Sequence, residues 1–208
     1  LALLSEGPAP LVIDLKLSVV RRLDSDYGAP PSIAFSPDGE RLVSLHGVLD
    51  MIGIREGTAV LWDISGPSVL ATQPTPVGCI RVTYSRDGKR IVFGSSSGHL
   101  LLYDDELKPQ GRFETQGTSA GNILQGLGHS GHIRGLAFSK SGRRLFTCGK
   151  GNLGVGHELR CWDAESRELV WEALNRKRLP DSLAVSADGA YLAVGTSNAA
   201  VEVWIADP

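Results

Sequence analysis

Nearly the same nine-residue segment occurs four times in this chain of 208 residues. The four segments are FSPDGERLV at 35–43, YSRDGKRIV at 84–92, FSKSGRRLF at 138–146 and VSADGAYLA at 185–193. Their glycines, Gly39, Gly88, Gly142 and Gly189, are 49, 54 and 47 residues apart. Self-similarity at such a period indicates a repeat architecture, because each unit needs a neighbouring unit on which to bury its apolar surface.

Every repeat contains the same order of short predicted strands. In the first repeat, an apolar strand at 33–35 leads through a Pro-Asp-Gly turn into a second strand at 41–44. Gly39 accepts the positive φ that closes such a tight hairpin. A third strand then ends in an aromatic residue, and a more polar fourth strand follows. These aromatic residues are Trp62, Tyr103, Trp162 and Trp204. Because 25 Gly and 11 Pro punctuate β-branched and aromatic runs, the pattern predicts an all-β chain.

Four antiparallel strands per repeat, with an aromatic residue near the end of the third, resemble the WD-repeat β-propeller family. Trp-Asp pairs at 62–63 and 162–163 carry the resemblance, and the best single copy is GHSGHIRGLAFSKSGRRLF, which begins at residue 128 and whose repeat closes with CWD at 161–163. The resemblance implies a propeller of four-stranded antiparallel blades, forming one domain over 1–208. We expect partial strands at 11–24 and blades at about 25–72, 73–115, 128–173 and 180–208.

Four blades are few for a closed ring, because propellers have about four to eight blades and the resemblance implies seven or eight. The last repeat stops after its third strand, while LVIDL at 11–15 and SVVRRL at 18–23 are predicted as a third and a fourth strand. One hypothesis makes SVVRRL the outer strand that closes the last blade. A second, which we favour, makes both segments the remnant of an upstream blade in a larger ring. A ring built from two chains is a third alternative.

Three insertions distinguish the repeats, at 46–57, 116–128 and 149–158. In a propeller, the loops between second and third strands and the connections between blades open on the same face, so we expect all three insertions on one face. Loops on a rigid scaffold commonly carry binding residues. The candidate apolar anchors for a protein or peptide partner are Met51, Ile52 and Ile54. The alternative is that these side chains fold back on the first blade.

A short basic cluster lies in the last connection between blades, and we expect it on the same face. It consists of Arg176, Lys177 and Arg178, with Arg134 expected nearby. The cluster is either a solvated turn or a contact for an acidic partner. A nucleic-acid site needs a broader basic stripe with stacking aromatic residues. Because the formal net charge is −2, we expect no nucleic-acid partner.

The histidines near this face raise the hypothesis of a metal site. They are His46, His129, His132 and His157, with His99 at the start of a strand beside the face and Asp50 or Glu158 as a further oxygen ligand. The resemblance favours a structural role for His129, in a hydrogen-bond chain with a strand hydroxyl, a loop aspartate and the tryptophan of the third strand. Thr147 and Trp162 suit this chain, but the aspartate position falls on Gly156. In the other repeats this position is Glu56, Ser97 or Asn198. We therefore expect no metal and no cofactor.

The strands expected to line the central channel contain no candidate for acid–base catalysis. They read IAFS, VTYS, LAFS and LAVS, without His, Asp or Glu. Enzymatic propellers gather such side chains at the channel mouth, so we expect a non-catalytic scaffold for protein–protein interaction. Because a fold does not determine function, two alternatives stay open. They are a channel-mouth enzyme or small-molecule binder, and a purely structural blade set of a larger protein.

The bulk composition adds two constraints. No run of 18 consecutive apolar residues occurs, so we expect no membrane partner. Cys79, Cys148 and Cys161 are too few and too scattered for a disulfide framework or a zinc site. We expect them to be reduced core residues, because free cysteine packs like a small apolar side chain. Reduced thiols suit a reducing compartment, and we expect a cytoplasmic location.

Overall fold

The computed structural model describes residues 2–3, 11–14, 19–23, 30–50, 53–66, 68–75, 78–114, 128–151, 157–175 and 178–206. Every regular element in these ranges is a β-strand, and the strands form five antiparallel sheets. Within the same ranges, no helix is long and apolar enough to cross a membrane.

The strands are numbered in chain order. The first sheet contains β1 (Ala2–Leu3), β2 (Leu11–Asp14) and β3 (Val19–Arg22). The second contains β4 (Ser32–Phe35), β5 (Arg41–Asp50), β6 (Gly53–Asp63) and β7 (Ser68–Thr75). The third contains β8 (Cys79–Tyr84), β9 (Arg90–Ser95), β10 (Leu100–Asp104) and β11 (Pro109–Phe113). The fourth contains β12 (Ile133–Phe138), β13 (Arg144–Gly149), β14 (His157–Asp163) and β15 (Leu169–Asn175). The fifth contains β16 (Pro180–Val185), β17 (Tyr191–Thr196) and β18 (Val201–Ile205).

The last four sheets are the blades, and we call them blades 1 to 4 in chain order. Within each blade the strands pair with their neighbours in sequence, so each blade is an antiparallel meander. The first strands of successive blades, β4, β8, β12 and β16, contact one another in that order. The blades are therefore arranged side by side around an axis, and the predicted all-β propeller architecture is confirmed.

The turn between the first and second strands has the same geometry in every blade. In blade 1, the Ser36 side chain donates to the Asp38 carboxylate (2.5 Å) and accepts from the Arg41 amide (2.9 Å). Gly39 has a φ of +76° there, and Gly88, Gly142 and Gly189 have φ values of +72°, +71° and +80°. An L side chain is strained in this conformation, so the turn requires glycine. The repeated sequence segment is the local code for this hairpin.

Apolar side chains fill the boundaries between blades. Phe146, Leu159 and Cys161 of blade 3 pack against Leu192 and Val194 of blade 4, and similar clusters fill the other two boundaries. The outward face of blade 1 is covered in part by Leu23, which is 1% exposed. Burial of a large apolar side chain stabilises the fold by about 1.5–3 kcal/mol. Contact between neighbouring blades is thus the main source of stability.

The structure tests two sequence predictions, the loop at 46–57 and the closing strand at 18–23. The insertion at 46–57, predicted as a loop, instead extends β5 and β6 into a long hairpin, with Leu49 opposite Ile54 and Asp50 opposite Gly53. The predicted loop was therefore wrong, because the apolar and β-branched residues between the glycines favour strand pairing. At the N-terminus, β3 pairs with β2, and in the described residues β18 pairs with β17 alone. The described pairing thus gives no support to SVVRRL as the closing strand.

The face of blade 4 that points away from blade 3 is exposed and apolar. Val201, Val203 and Ile205 alternate along β18 and are 70%, 66% and 69% exposed. Tyr191, which pairs with Ile205, extends the same face and is 53% exposed. The corresponding face of blade 3 is buried under blade 4. We call this surface the open face of blade 4.

Candidate functional site

One face of the blades carries the candidate site. The first strand of each blade begins beside the end of the second strand, because Ile133 pairs with Gly149 and Pro180 with Thr196. The connections between blades and the turns between second and third strands therefore lie at the same end. We call this end the loop face, and the end with the Ser-x-x-Gly turns the opposite face.

In blade 3, a buried polar network lies beneath the loop face. Trp162 Nε1 donates to Thr147 Oγ1 (2.9 Å), and His129 Nε2 lies 2.6 Å from the same hydroxyl. His129 Nδ1 lies 2.8 Å from a carboxylate oxygen of Glu158, and both side chains are fully buried. If Thr147 accepts from Trp162 and donates to His129, Nδ1 carries the imidazole proton and faces the carboxylate. The network thus connects β13 and β14 to the segment that enters the blade.

Glu158 is held by further partners. Ser130 donates to it through its hydroxyl (2.5 Å) and its amide (3.1 Å), and Arg160 lies 3.6 Å away. Although burial opposes ionisation, the His129 imidazole 2.8 Å away and the Arg160 charge lower the pKa of Glu158 to about 2. Burial also lowers the pKa of His129, so the imidazole is neutral at pH 7. Gly128 precedes this segment because a Cβ there would lie 2.5 Å from a Leu100 methyl carbon.

Glu158 supplies the carboxylate for which the sequence analysis found no aspartate at the expected position. The aspartate position falls on Gly156, outside the described residues, and the carboxylate comes from the second residue of β14 instead. The other blades use different groups. In blade 1, Trp62 Nε1 donates to Ser44 Oγ (2.7 Å), which lies 2.7 Å from His46 Nε2. His46 comes from β5, whereas His129 comes from the connection before β12.

Among the described residues, the two further blades show fragments of such a chain. In blade 2, Ser97 lies 3.0 Å from His99 Nδ1, and Tyr103 packs against Phe93 with ring centroids 4.6 Å apart. In blade 4, Thr196 donates to Asn198 (2.6 Å). Blade 3 therefore holds the most extensive of the described networks.

The loop-face ends of the first strands carry charged side chains that the sequence analysis did not bring together. Arg134 forms an ion pair with Asp181, and Arg81 Nε donates to the Arg134 carbonyl oxygen (2.8 Å). Arg134 and Asp181 each occupy a register shift at the start of a first strand. Such a bulge re-aims a side chain. The sequence analysis examined only the four strand residues that follow, so it missed Arg81 and Asp181.

A cavity of about 100 Å³ lies at the boundary between blades 3 and 4. Its apolar walls are Leu159, Ala173, Leu174, Pro180, Val194 and Trp204, and its polar lining is His157, Arg178, Thr196 and Glu202. Trp204 stacks on Trp171 at 6.0 Å between centroids and 12° between planes. Arg178 and Glu202 form an ion pair of 3.0 Å. The His157 Nδ1 atom is buried and has no hydrogen-bond partner among the described residues. We call this site the boundary cavity.

The predicted partner-binding residues are only partly brought together. Ile54 lies in β6, near the tip of the extended hairpin. Arg134 and Arg178 both lie at the loop face but pair with different carboxylates, those of Asp181 and Glu202. The remaining predicted residues, Met51, Ile52, Arg176 and Lys177, lie outside the described residues.

The histidine and cysteine side chains do not assemble a metal site in the described ranges. No group of three or more His, Cys, Asp or Glu side chains there is arranged to hold an ion. The three cysteines are buried, and none of them forms a disulfide among the described residues. Burial raises the pKa of the Cys79 and Cys148 thiols to about 12, so both are protonated and unreactive at pH 7.

Comparison with solved structures defines the class of fold. The chain is similar to the Myceliophthora thermophila Cps50 (Swd1) β-propeller domain, with a TM-score of 0.73, 15% identity and 95% of this chain covered. It is also similar to a chain of the Mitotic Checkpoint Complex, with a TM-score of 0.74, 20% identity and 99% covered. A chain of Kuenenia stuttgartiensis hydrazine synthase gives a TM-score of 0.71, 15% identity and 91% covered. The fold is therefore that of a β-propeller.

Sequence comparison then identifies the family. The family model "WD domain, G-beta repeat" matches residues 121–163. The chain is 30% identical over 166 residues, 73% of its length, to a guanine nucleotide-binding protein subunit beta of Arabidopsis thaliana. It is 25% identical over 152 residues, 71% of its length, to the autophagy-related protein 16 of the same plant. With the repeated blades, these matches support membership of the WD-repeat family.

The chain corresponds to only part of the proteins it matches. It spans 39% of the guanine nucleotide-binding protein subunit beta and 26% of the autophagy-related protein 16. It spans 59% of each of two matched propeller chains and 49% of the third. A ring larger than the described blades agrees with these shares.

Proposed function

We propose that this protein is a non-catalytic scaffold whose loop face binds a protein or peptide partner. The observation that carries the proposal is the boundary cavity, which opens on the loop face beside the Arg178–Glu202 ion pair. Binding sites of this kind combine an apolar pocket with a few polar groups that fix orientation. The charged ends of the first strands, with Arg81, Arg134 and Asp181, add a polar contact region on the same face.

The architecture suits rigid presentation of that face. The His129–Glu158 pair ties the entering segment of blade 3 to β14, and stacked blades hold the neighbouring loops. A pre-organised surface binds with little loss of conformational entropy. WD-repeat proteins typically serve as interaction scaffolds, and one matched relative is by name a subunit of a larger protein.

Peptide display on the immobilised 208-residue chain tests the proposal. The selected peptides are measured against Arg134→Glu on the loop face and against Arg86→Glu in a turn of the opposite face, which is the same chemical change. We expect Arg134→Glu to weaken binding at least tenfold and Arg86→Glu to leave binding unchanged. Loss of binding with Arg86→Glu alone would place the partner on the opposite face and overturn the proposal.

The open face of blade 4 supports a second proposal, which concerns assembly with a further blade. Four exposed apolar side chains on one face, three on β18 and one on β17, are costly in water, and the equivalent face of blade 3 is covered by a blade. We propose that a further blade covers this face, either from a longer chain or from a second copy. Light scattering coupled to size exclusion measures this directly. A mass of twice 22.2 kDa supports the second copy, and a stable monomer contradicts it.

A further inference from the structure

We propose that Arg81 and Arg134 form a binding site for one carboxylate group of a peptide partner. This inference rests on the proposed function and names the chemistry that the loop face recognises. The site consists of these two arginines together with Asp181, and we call it the arginine site. The carboxylate comes from an acidic side chain or from the C-terminus of the partner.

Three successive blades bring the charges of the arginine site together. Arg81 follows the register shift at the start of β8, while Arg134 and Asp181 occupy the corresponding shifts in β12 and β16. Strand β12 contacts both β8 and β16. Arg81 Nε donates to the Arg134 carbonyl oxygen (2.8 Å), and the Arg134 side chain pairs with Asp181. The geometry of the site therefore depends on the packing of blades 2, 3 and 4.

Among the described residues, the arginine site has one uncompensated positive charge. The Arg134 guanidinium is paired with the Asp181 carboxylate. Arg81 instead donates to two main-chain carbonyl oxygens, those of Ile80 and Arg134 (2.8 Å each), and no described carboxylate forms an ion pair with it. Because an arginine side chain stays protonated in proteins, the site has two cations against one anion.

Both guanidinium groups keep donors for a ligand. The main-chain bonds of Arg81 hold its guanidinium plane and use only two of its five N–H donors. The Arg134 Nε atom is buried and has no acceptor among the described residues, so an incoming carboxylate oxygen can serve as one. A guanidinium fork that is already oriented loses little conformational freedom when it binds a carboxylate.

The charge balance of the arginine site favours a carboxylate over other polar groups. One carboxylate has a single negative charge and neutralises the surplus. A phosphate group carries about −1.5 to −2 charges at pH 7, so it would leave an excess of negative charge beside Asp181. A lysine or arginine of the partner would be repelled by Arg81, which has no described counter-charge. An amide adds hydrogen bonds but leaves the positive charge uncompensated.

Nuclear magnetic resonance titration of the ¹⁵N-labelled chain tests the arginine site. The probes are pentapeptides Gly-Ser-X-Ser-Gly, capped at both ends, in which X is Glu, Gln, phosphoserine or Lys. Carboxylate binding should shift the Arg81 and Arg134 signals. We expect the Glu probe to bind about tenfold more tightly than the Gln probe, and the Lys probe to bind most weakly. Tightest binding of the phosphoserine probe would overturn the preference for a carboxylate.

A second pair of probes distinguishes the two sources of the carboxylate. Acetyl-Gly-Ser-Gly-Ser-Gly has no acidic side chain and ends either in a free acid or in an amide. Tighter binding of the free acid than of the Glu probe assigns the site to the C-terminus of a partner, and the reverse order assigns it to an acidic side chain. The proposal is overturned if neither carboxylate probe binds more tightly than its amide counterpart.

Neutralising Arg81 provides the matched variant. Arg81→Gln removes the uncompensated charge, whereas Arg86→Gln makes the same change in an exposed turn of the opposite face. We expect Arg81→Gln to weaken binding of the tighter carboxylate probe about tenfold and Arg86→Gln to leave it unchanged. If Arg81→Gln does not fold, Arg81→Lys is used, which keeps the charge but loses the planar fork and gives a smaller, measurable loss. Unchanged binding by a folded Arg81 variant would overturn the proposal.

Neutralising Asp181 tests the charge balance in the opposite direction. Asp181→Asn removes the carboxylate that pairs with Arg134, so a second positive charge becomes uncompensated. The Asp181 side chain is 49% exposed, and we expect the variant to fold. The tighter carboxylate probe should bind about threefold more tightly to this variant. Unchanged or weaker binding would contradict a site that selects its ligand by charge.

Replacement of the carboxylates in display-selected peptides separates this proposal from the proposed function. If the peptides bind the loop face but keep their affinity when every carboxylate is replaced by an amide, the arginine site is wrong while the scaffold function stands. If a carboxylate probe binds the arginine site but the selected peptides map to the opposite face, the scaffold function is wrong while the arginine site stands. Loop-face peptides that lose affinity on this replacement support both.

Discussion

The two sides of strand β14 have opposite characters. Glu158 and Trp162 point towards blade 2, where each finds a buried hydrogen-bond partner. His157 and Leu159 point towards blade 4, where they line the boundary cavity and His157 Nδ1 has no partner among the described residues. A single strand thus contributes to a buried network with His129 and Thr147 on one side and to a candidate binding surface on the other. We call this buried network the structural joint.

The difference teaches how to separate structural from functional residues in a repeat protein. All blades share a hairpin and an aromatic third strand, so these features report on stability. His129 closes a buried network and serves stability, whereas His157, whose Nδ1 has no partner among the described residues, is a candidate for binding.

Removal of the Glu158 carboxylate should have the largest effect on the free energy of unfolding. Glu158→Ala leaves Arg160, which is 2% exposed, with the partly exposed Glu172 as its remaining ion-pair partner and removes the carboxylate beside His129. We expect a loss of about 3–5 kcal/mol in the free energy of unfolding, measured by urea denaturation. The control is Glu202→Ala on the cavity side, whose partly exposed ion pair should contribute less than about 1 kcal/mol. Equal losses would remove the distinction between the two sides.

Removal of the Thr147 hydroxyl should have a smaller effect on the free energy of unfolding. Thr147→Val keeps the shape but deprives Trp162 Nε1 of its acceptor and His129 of its partner. We expect a loss of about 1–3 kcal/mol by thermal or urea unfolding. Thr72→Val, on the exposed outer strand of blade 1, is the same change without a buried network and should be nearly neutral. A neutral Thr147→Val would show that the joint contributes little.

The joint should also give the stability a pH dependence. Burial lowers the pKa of His129 below its usual 6.5, so the unfolded chain binds a proton that the folded chain does not. Stability is then lost as the pH falls below 6.5, because the unfolded chain takes up the proton first. His129→Gln should have a flatter profile below pH 6.5. Parallel profiles for the two proteins would contradict a neutral buried imidazole.

Filling the boundary cavity should have the smallest effect on stability. Ala173→Leu enters open space, so we expect a change in the free energy of unfolding within about 1 kcal/mol. Ala59→Leu makes the same change in the closely packed boundary of blades 1 and 2, where overpacking should cost about 1–3 kcal/mol. Equal costs at both positions would mean that the cavity is not available space.

The repeat architecture could be predicted from the sequence because each hairpin is encoded locally. Ser36, Asp38 and Gly39 determine one turn through contacts within a few residues, and the same pattern recurs three times. The family resemblance led from these turns to the propeller.

The site could be predicted only in part, because its geometry depends on register and packing. Glu158 was considered as a metal ligand, and its pairing with His129 depends on where β14 begins after a loop of variable length. Arg134 and Asp181 meet only because bulges re-aim both side chains. A useful signal was available in the alternation of β14, where Glu158 and Arg160 occupy one side of the strand and Leu159 and Cys161 the other.

The central claim is that β14 is a structural joint towards blade 2 and a binding surface towards blade 4. Hydrogen–deuterium exchange of the 208-residue chain, with and without a display-selected peptide, tests it most directly. We predict that the peptide increases protection at the boundary cavity, in 157–159, 194–196 and 202–204, while 128–130 is protected equally in both states. New protection confined to the Ser-x-x-Gly turns of the opposite face would contradict the claim.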